Sequence, residues 1–281
     1  MDNMKKFLSL FTAILFQTLY AVDLPPSVTV KTGKITIRLD AAKRCFMNRI
    51  EYDGRLFGLD TRGAHYGSVL FVKGESGMAG SGHTEAGYGE EVVMLTMMID
   101  GKTVEWAKEN NLAGKYFYLH KISKVGHFSI DYVLQIANDV IDERSTITSD
   151  ADVQLNCLYN FMHPWSLRFT EYYAVMADGK IRQAAFQTNG KFPVYHNAPS
   201  LIAIYDPETG DGVVSTVQPG SGQNQLKRYL WDTRYYRKGY FVDFTDKTFP
   251  AGHVAVYQAR TTFFNEPEKA RWVQSARQAA R

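Results

Sequence analysis

The sequence has only two cysteines, Cys45 and Cys157, in 281 residues. That excludes a small fold stapled by several disulfides. It has no apolar run near the roughly 20 residues that a membrane-spanning helix needs, so no stable membrane insertion is expected once an N-terminal signal is cleaved. It has little net charge, +3. A field that weak does not hold a polyanion non-specifically, so nucleic acid is not an expected partner. Internal repeats, low-complexity stretches and a dividing linker are missing. So are GxxxxGK[ST], GxSxG, HExxH and an EF-hand loop. No metal site and no cofactor is therefore expected.

What is present is 45% hydrophobic and 14% aromatic residues, which rules out a disordered chain. At the N-terminus, Lys5 and Lys6 precede an apolar run over residues 7–16, and Ala21 offers a small residue for cleavage. Residues 1–21 read as a secretory signal peptide, and the protein as secreted or periplasmic. Residues 22–281 read as a single domain. In an exported protein Cys45 and Cys157 could pair; Cys157, in an alternating apolar segment, fits a buried free thiol equally well.

Residues 35–39, 92–99, 116–122, 128–136, 201–205 and 254–264 are rich in β-branched and aromatic residues. Asp53-Gly54, Asp100-Gly101, Asp178-Gly179, Asn189-Gly190 and Asp211-Gly212 supply turn signals between strands. Strands at this spacing without helical periods predict an all-β fold, a large antiparallel β-sandwich. The end of the chain differs. Asn265 with Glu268 has capping-box spacing, which predicts a short C-terminal helix over residues 266–281 packed through Trp272 and Val273.

Three segments carry residues suited to chemistry. The first, GMAGSGHTEAGYGEE over residues 77–91, has five glycines in its first thirteen residues. Glycine permits close approach of backbone to a ligand. His83 and Glu85 stand two apart and face one side of an extended chain, where a carboxylate raises the basicity of an imidazole. The second is VQLNCLYNFMHPW, residues 153–165. Strict alternation puts Val153, Leu155, Cys157, Tyr159, Phe161 and His163 on one face, with His163 at the strand end beside Trp165. His163 reads either as a core histidine or as an imidazole opening into a cleft. The third, LKRYLWDTRYYRKGYFVDF over residues 226–244, interleaves Arg234, Arg237 and Lys238 with Trp231, Tyr236 and Tyr240. Aromatic faces stack on the C–H faces of sugars, and arginine grips a carboxylate in a fork.

The order GSGHTEAGYGEE, YNFMHPW, YDPETGDGVVS, WDTRYYRKGYF and FPAGHVAVYQARTTFF, from about residue 28 to 264, resembles secreted bacterial proteins of the galactose mutarotase-like supersandwich group. The resemblance implies a sugar site on the concave sheet of a large sandwich. Epimerases of that group use histidines and a glutamate, and His83 and His163 match the histidines. The late glutamate has no match, Glu266 falling in the expected helix cap.

The function expected is a polysaccharide lyase that cleaves a uronic-acid glycan by β-elimination. Such a reaction neutralises the carboxylate, removes the α-proton and protonates the leaving oxygen. His83, His163, Tyr88 and Tyr236 are the catalytic candidates. Glu85, Trp165, Trp231, Arg234 and Arg237 are the substrate-binding candidates. The partner expected is a polysaccharide or oligosaccharide, acidic under this reading. The alternatives are an aldose 1-epimerase-like isomerase, with His163 and Glu85 as its pair, and a non-catalytic glycan-binding module. A weaker fourth reading, a glycoside hydrolase, would pair Glu85 with Glu171.

Overall fold

A computed structural model describes residues 22–60, 65–75, 77–82, 89–106, 110–176, 178–197, 201–219 and 226–281. The proposed signal peptide lies outside them, as do His83, Glu85 and Tyr88.

Among the described residues the strands form two sheets. The eleven-stranded sheet runs, edge to edge, Val194–Asn197, Lys227–Asp232, Arg237–Asp243, Val153–Trp165, Arg55–Leu59, Phe46–Tyr52, Ile35–Asp40, Ser27–Thr32, Asn111–Gly114. Gly67–Val72 and Lys247–Phe249 also pair with Val153–Trp165. The ten-stranded sheet runs Ile181–Ala185, Glu171–Val175, Leu201–Tyr205, Asp211–Pro219, Val254–Asn265, Val140–Ser149, Phe128–Ala137, Tyr116–Val125, Glu91–Ile99, Lys102–Thr103. Pairing is antiparallel except between Ser27–Thr32 and Asn111–Gly114. The expected all-β sandwich is thus the architecture found.

Period-two patterning explains most of it. Phe128–Ala137 buries every second residue, from Phe128 to Ile136, against the facing sheet. Asp53-Gly54 and Asp100-Gly101 have positive φ at both residues, the requirement of a tight hairpin turn. Asp211-Gly212 is not a turn: the chain reverses at residues 206–210, with Gly210 at φ +76°, and Asp211 opens the next strand.

The helix is shorter than its sequence suggested, Trp272–Ala279, and Asn265 does not cap it. Asn265 ends the last strand, and its carboxamide donates to Thr209 O and Asp211 Oδ1. Tertiary partners outcompeted the local cap. Trp272 stacks on Tyr205 with ring centroids 5.0 Å apart, seating the helix on the outer face of the ten-stranded sheet.

Cys45 and Cys157 are both buried and free. Cys45 belongs to the core between the sheets, whereas Cys157 belongs to a cluster on the outer face of the eleven-stranded sheet. A β-sheet separates them, so the pairing alternative is excluded.

Candidate functional site

The Val153–Trp165 strand decides which candidates meet. Its register slips between Leu155 and Cys157 and again between Asn160 and His163. Phe161, at φ +45°, marks the second slip. Each β-bulge inserts a residue and reverses the facing of everything beyond it. Leu155, Leu158, Phe161 and Trp165 therefore join the inter-sheet core, while Cys157, Tyr159 and Met162 lie on the outer face. The single face expected from strict alternation does not exist.

His163 points into the interior, 4% exposed. Its Nε2 lies 2.7 Å from Glu143 Oε2 on the opposing sheet. The Tyr132 hydroxyl donates to the other Glu143 oxygen at 2.7 Å. Burial, reinforced by Glu143, pushes the Tyr132 phenol well above its ordinary value, so it stays a donor. Tyr66 and Trp165 flank the imidazole, with ring centroids 6.0 and 5.4 Å away. The cavity beside it is about 10 Å³, the room of one water. A sugar needs a pocket on the order of hundreds of Å³. In this arrangement His163 is the core histidine of the two readings, and Trp165, 4% exposed, offers no open ring face.

Arg237 is likewise turned inward. Its guanidinium donates to Asp232 Oδ1 at 2.5 Å, to the Thr233 carbonyl at 2.7 Å and to Thr188 Oγ1 at 3.1 Å. Asp232 also accepts the backbone N–H groups of Gln187 and Thr188. The expected carboxylate fork is thus spent on holding residues 186–191 against the Lys227–Asp232 strand. Arg234 differs: it is exposed, and its guanidinium sits 4.7 Å from the centre of the exposed Tyr235 ring.

The outer face of the eleven-stranded sheet carries an unbroken strip of rings. Tyr159 meets Tyr240 at 5.3 Å, and Tyr240 meets Tyr229 at 5.4 Å. Tyr229 meets Phe192, and Phe192 stacks on Trp231, both at 5.5 Å. Trp231 meets Tyr236 at 6.3 Å. The indole N–H donates to the Gly190 carbonyl at 2.9 Å, which fixes the ring plane. Lys238 Nζ lies 6.0 Å from the ring centres of both Tyr236 and Tyr240. Phe192, 40% exposed, is the strip's most open ring, whereas Tyr229, Tyr236 and Tyr240 are buried. Burial raises the phenols of Tyr159 and Tyr240 above their ordinary values, which keeps them protonated near neutral pH. Trp231 and Tyr236 are thus the described candidates that the fold gathers here, while Arg234 lies exposed beside Tyr235.

The glycine-rich segment has a different use in its described part. A side chain on Gly80 would place its Cβ 1.8 Å from the Ser68 carbonyl oxygen. The glycine admits close approach of another strand. Glu90, passed over in the sequence, anchors the segment. Its carboxylate accepts from Ser81 Oγ, Gly82 N and Ser123 Oγ and pairs with Lys121 Nζ at 2.8 Å, both side chains being fully buried. Lys121 also donates to the Arg44 carbonyl. Glu143 and Lys121 were detectable as charges on the inward phase of alternating strands, a pattern that demands a buried partner.

No family model matches this sequence, and no curated protein matches it. Solved structures do match in shape. The galactosidase domain of an alpha-galactosidase-sucrose kinase superposes with a TM-score of 0.56 at 8% identity over 86% of this chain. The alpha-N-acetylgalactosaminidase of Bifidobacterium bifidum, determined as a GalNAc complex, gives 0.54 at 8% identity over 89%. This chain spans 41% and 38% of the lengths of those two proteins. A galactose mutarotase-like protein from Lactobacillus casei ATCC 334 gives 0.51 at 7% identity, over 85% of this chain and all of that one. The chain has a galactose mutarotase-like sandwich fold.

Proposed function

We propose that the protein is an exported carbohydrate-binding protein that lays a glycan along the outer aromatic face of its eleven-stranded sheet. The observation that carries this reading is the strip from Tyr159 to Tyr236 with its open part at Phe192 and Trp231. The exposed Phe192 and half-buried Trp231 rings present apolar area to the C–H faces of sugars, with the buried Tyr229 and Tyr240 rings packed behind them. The exposed Arg234 beside Tyr235 favours a glycan with acidic residues. The sugar-processing enzymes among the similar structures support the reading through their fold. The basic and apolar N-terminus supports export.

Binding is favoured over β-elimination because His163 is committed to Glu143 and the raised phenols of Tyr159 and Tyr240 stay protonated near neutral pH. The test is a polysaccharide panel of polygalacturonate, alginate, chondroitin sulfate and neutral galactan, followed by affinity electrophoresis and calorimetry. At least one glycan is expected to bind, and Trp231→Ala is expected to weaken it about tenfold, equivalent to about 1.4 kcal/mol. Undiminished binding by both Trp231→Ala and Phe192→Ala would remove the proposed face. Formation of an ultraviolet-absorbing unsaturated uronide by the unaltered protein would instead restore the lyase.

A further inference from the structure

A groove lies on the other side of the molecule from the aromatic strip, on the outer face of the ten-stranded sheet. The C-terminal helix covers only the part of that face formed by Glu171–Val175, Leu201–Tyr205 and their neighbours. Beside it, the groove, of about 580 Å³, crosses the adjoining strands, with Ala280 and Arg281 forming its wall. That volume falls in the range of small-molecule sites.

Its floor is polar and in register. Tyr118, Gln135, Asp142 and Arg260 stand opposite one another on four successive strands. In the adjacent row Arg144 stands opposite Gln258. Neighbouring strands are about 4.8 Å apart, so four strands give a polar row of roughly 15 Å. Asp142 and Arg260 neutralise each other through two bonds, Nε to Oδ1 at 2.8 Å and Nη2 to Oδ2 at 3.0 Å. No hydrogen bond or ion pair joins Arg144 to another described residue, and its side chain is exposed. The floor of the groove therefore presents one uncommitted guanidinium, two carboxamides and a phenol ring.

We infer that this groove is a binding site for a small acidic sugar, a uronic acid or a short uronate-bearing oligosaccharide. Arg144 takes the carboxylate, Gln135 and Gln258 bond to hydroxyls as both donors and acceptors, and Tyr118 lines the apolar side of the ring. The Asp142–Arg260 pair holds the floor flat and supplies one acceptor and one donor at fixed positions. The site is independent of the aromatic strip, which lies on the opposite sheet.

The test is ligand-observed NMR and calorimetry with D-galacturonate and D-glucuronate as probes. D-Galactose serves as the uncharged control and acetate as the carboxylate without hydroxyls. The unaltered protein is expected to bind a uronate at millimolar strength or better, and neither control at the same concentration. Arg144→Gln and Gln258→Leu are expected each to weaken uronate binding at least tenfold, while Lys31→Gln, an exposed cation on the other sheet, leaves it unchanged. These are exposed positions, and an unchanged melting temperature confirms that each variant is folded. Absence of uronate binding by the unaltered protein overturns the assignment. Equal binding of acetate, or full binding by folded Arg144→Gln, does so too. Loss on Trp231→Ala alone would move the uronate to the aromatic face and also overturn it.

Discussion

His163 and Glu143 join the two sheets through the middle of the sandwich, imidazole Nε2 to carboxylate Oε2 at 2.7 Å, both side chains almost wholly out of water. A residue that looked suited to acid–base work is an inter-sheet tie. Removing one member of a buried, hydrogen-bonded pair leaves the other polar group stranded, at a cost of about 3–5 kcal/mol. His163→Ala and Glu143→Ala are each expected to lower the urea midpoint accordingly, and the double variant to cost less than the sum. Glycan binding by the folded His163→Ala protein is expected to persist. A His163→Ala protein of undiminished stability would contradict the tie.

Glu90 and Lys121 make a second buried link, under the glycine-rich segment. Glu90→Gln and Lys121→Met are each expected to destabilise by about 3–5 kcal/mol, because each leaves an unpaired charge in the interior. Replacing both with apolar residues removes both desolvation penalties. Glu90→Leu with Lys121→Met is therefore expected to recover part of the loss in a double-mutant cycle followed by chemical denaturation. Strictly additive losses would show that the two groups do not act as a pair.

Burial pushes the Cys45 thiol up from 9.0 to about 12, and raises Cys157 as well. At pH 8 a thiol with a value of about 12 is ionised in only about one molecule in ten thousand, and the thiolate is the reactive form. Iodoacetamide is expected to modify Cys45 far more slowly in the native protein than in guanidinium. The sign of the pH effect follows from the same shift. The folded state holds the proton more tightly, so this contribution to stability is complete below pH 9 and is lost as pH rises from about 9 through about 12. Denaturation midpoints compared at pH 8 and pH 10.5 in Cys45→Ala and the unaltered protein check it, the variant being expected to show the smaller fall.

Much of the architecture was written locally. The runs at 201–205 and 128–136 became the strands Leu201–Tyr205 and Phe128–Ala137, and Asp53-Gly54 and Asp100-Gly101 became tight turns. The site was less legible because facing depends on register. Strict alternation put Cys157, Tyr159, Phe161 and His163 together, and nothing in the string VQLNCLYNFMHPW announces two slips. Arg237 and Arg234 look equivalent in WDTRYYRKGYF, yet one is clamped by Asp232 and the other is in solvent.

By itself the sequence determined the all-β class, the period-two burial and the concentration of rings and cations in residues 226–244, because these follow from composition and local backbone preference. Only the tertiary structure decided that His163 and Arg237 turn inward, that Glu90 and Glu143 meet partners distant in the chain, and that two polar rows assemble from four separate strands. Those outcomes depend on which strand lies beside which and where a bulge interrupts the pleat. Pairing energies between segments far apart in the chain set both.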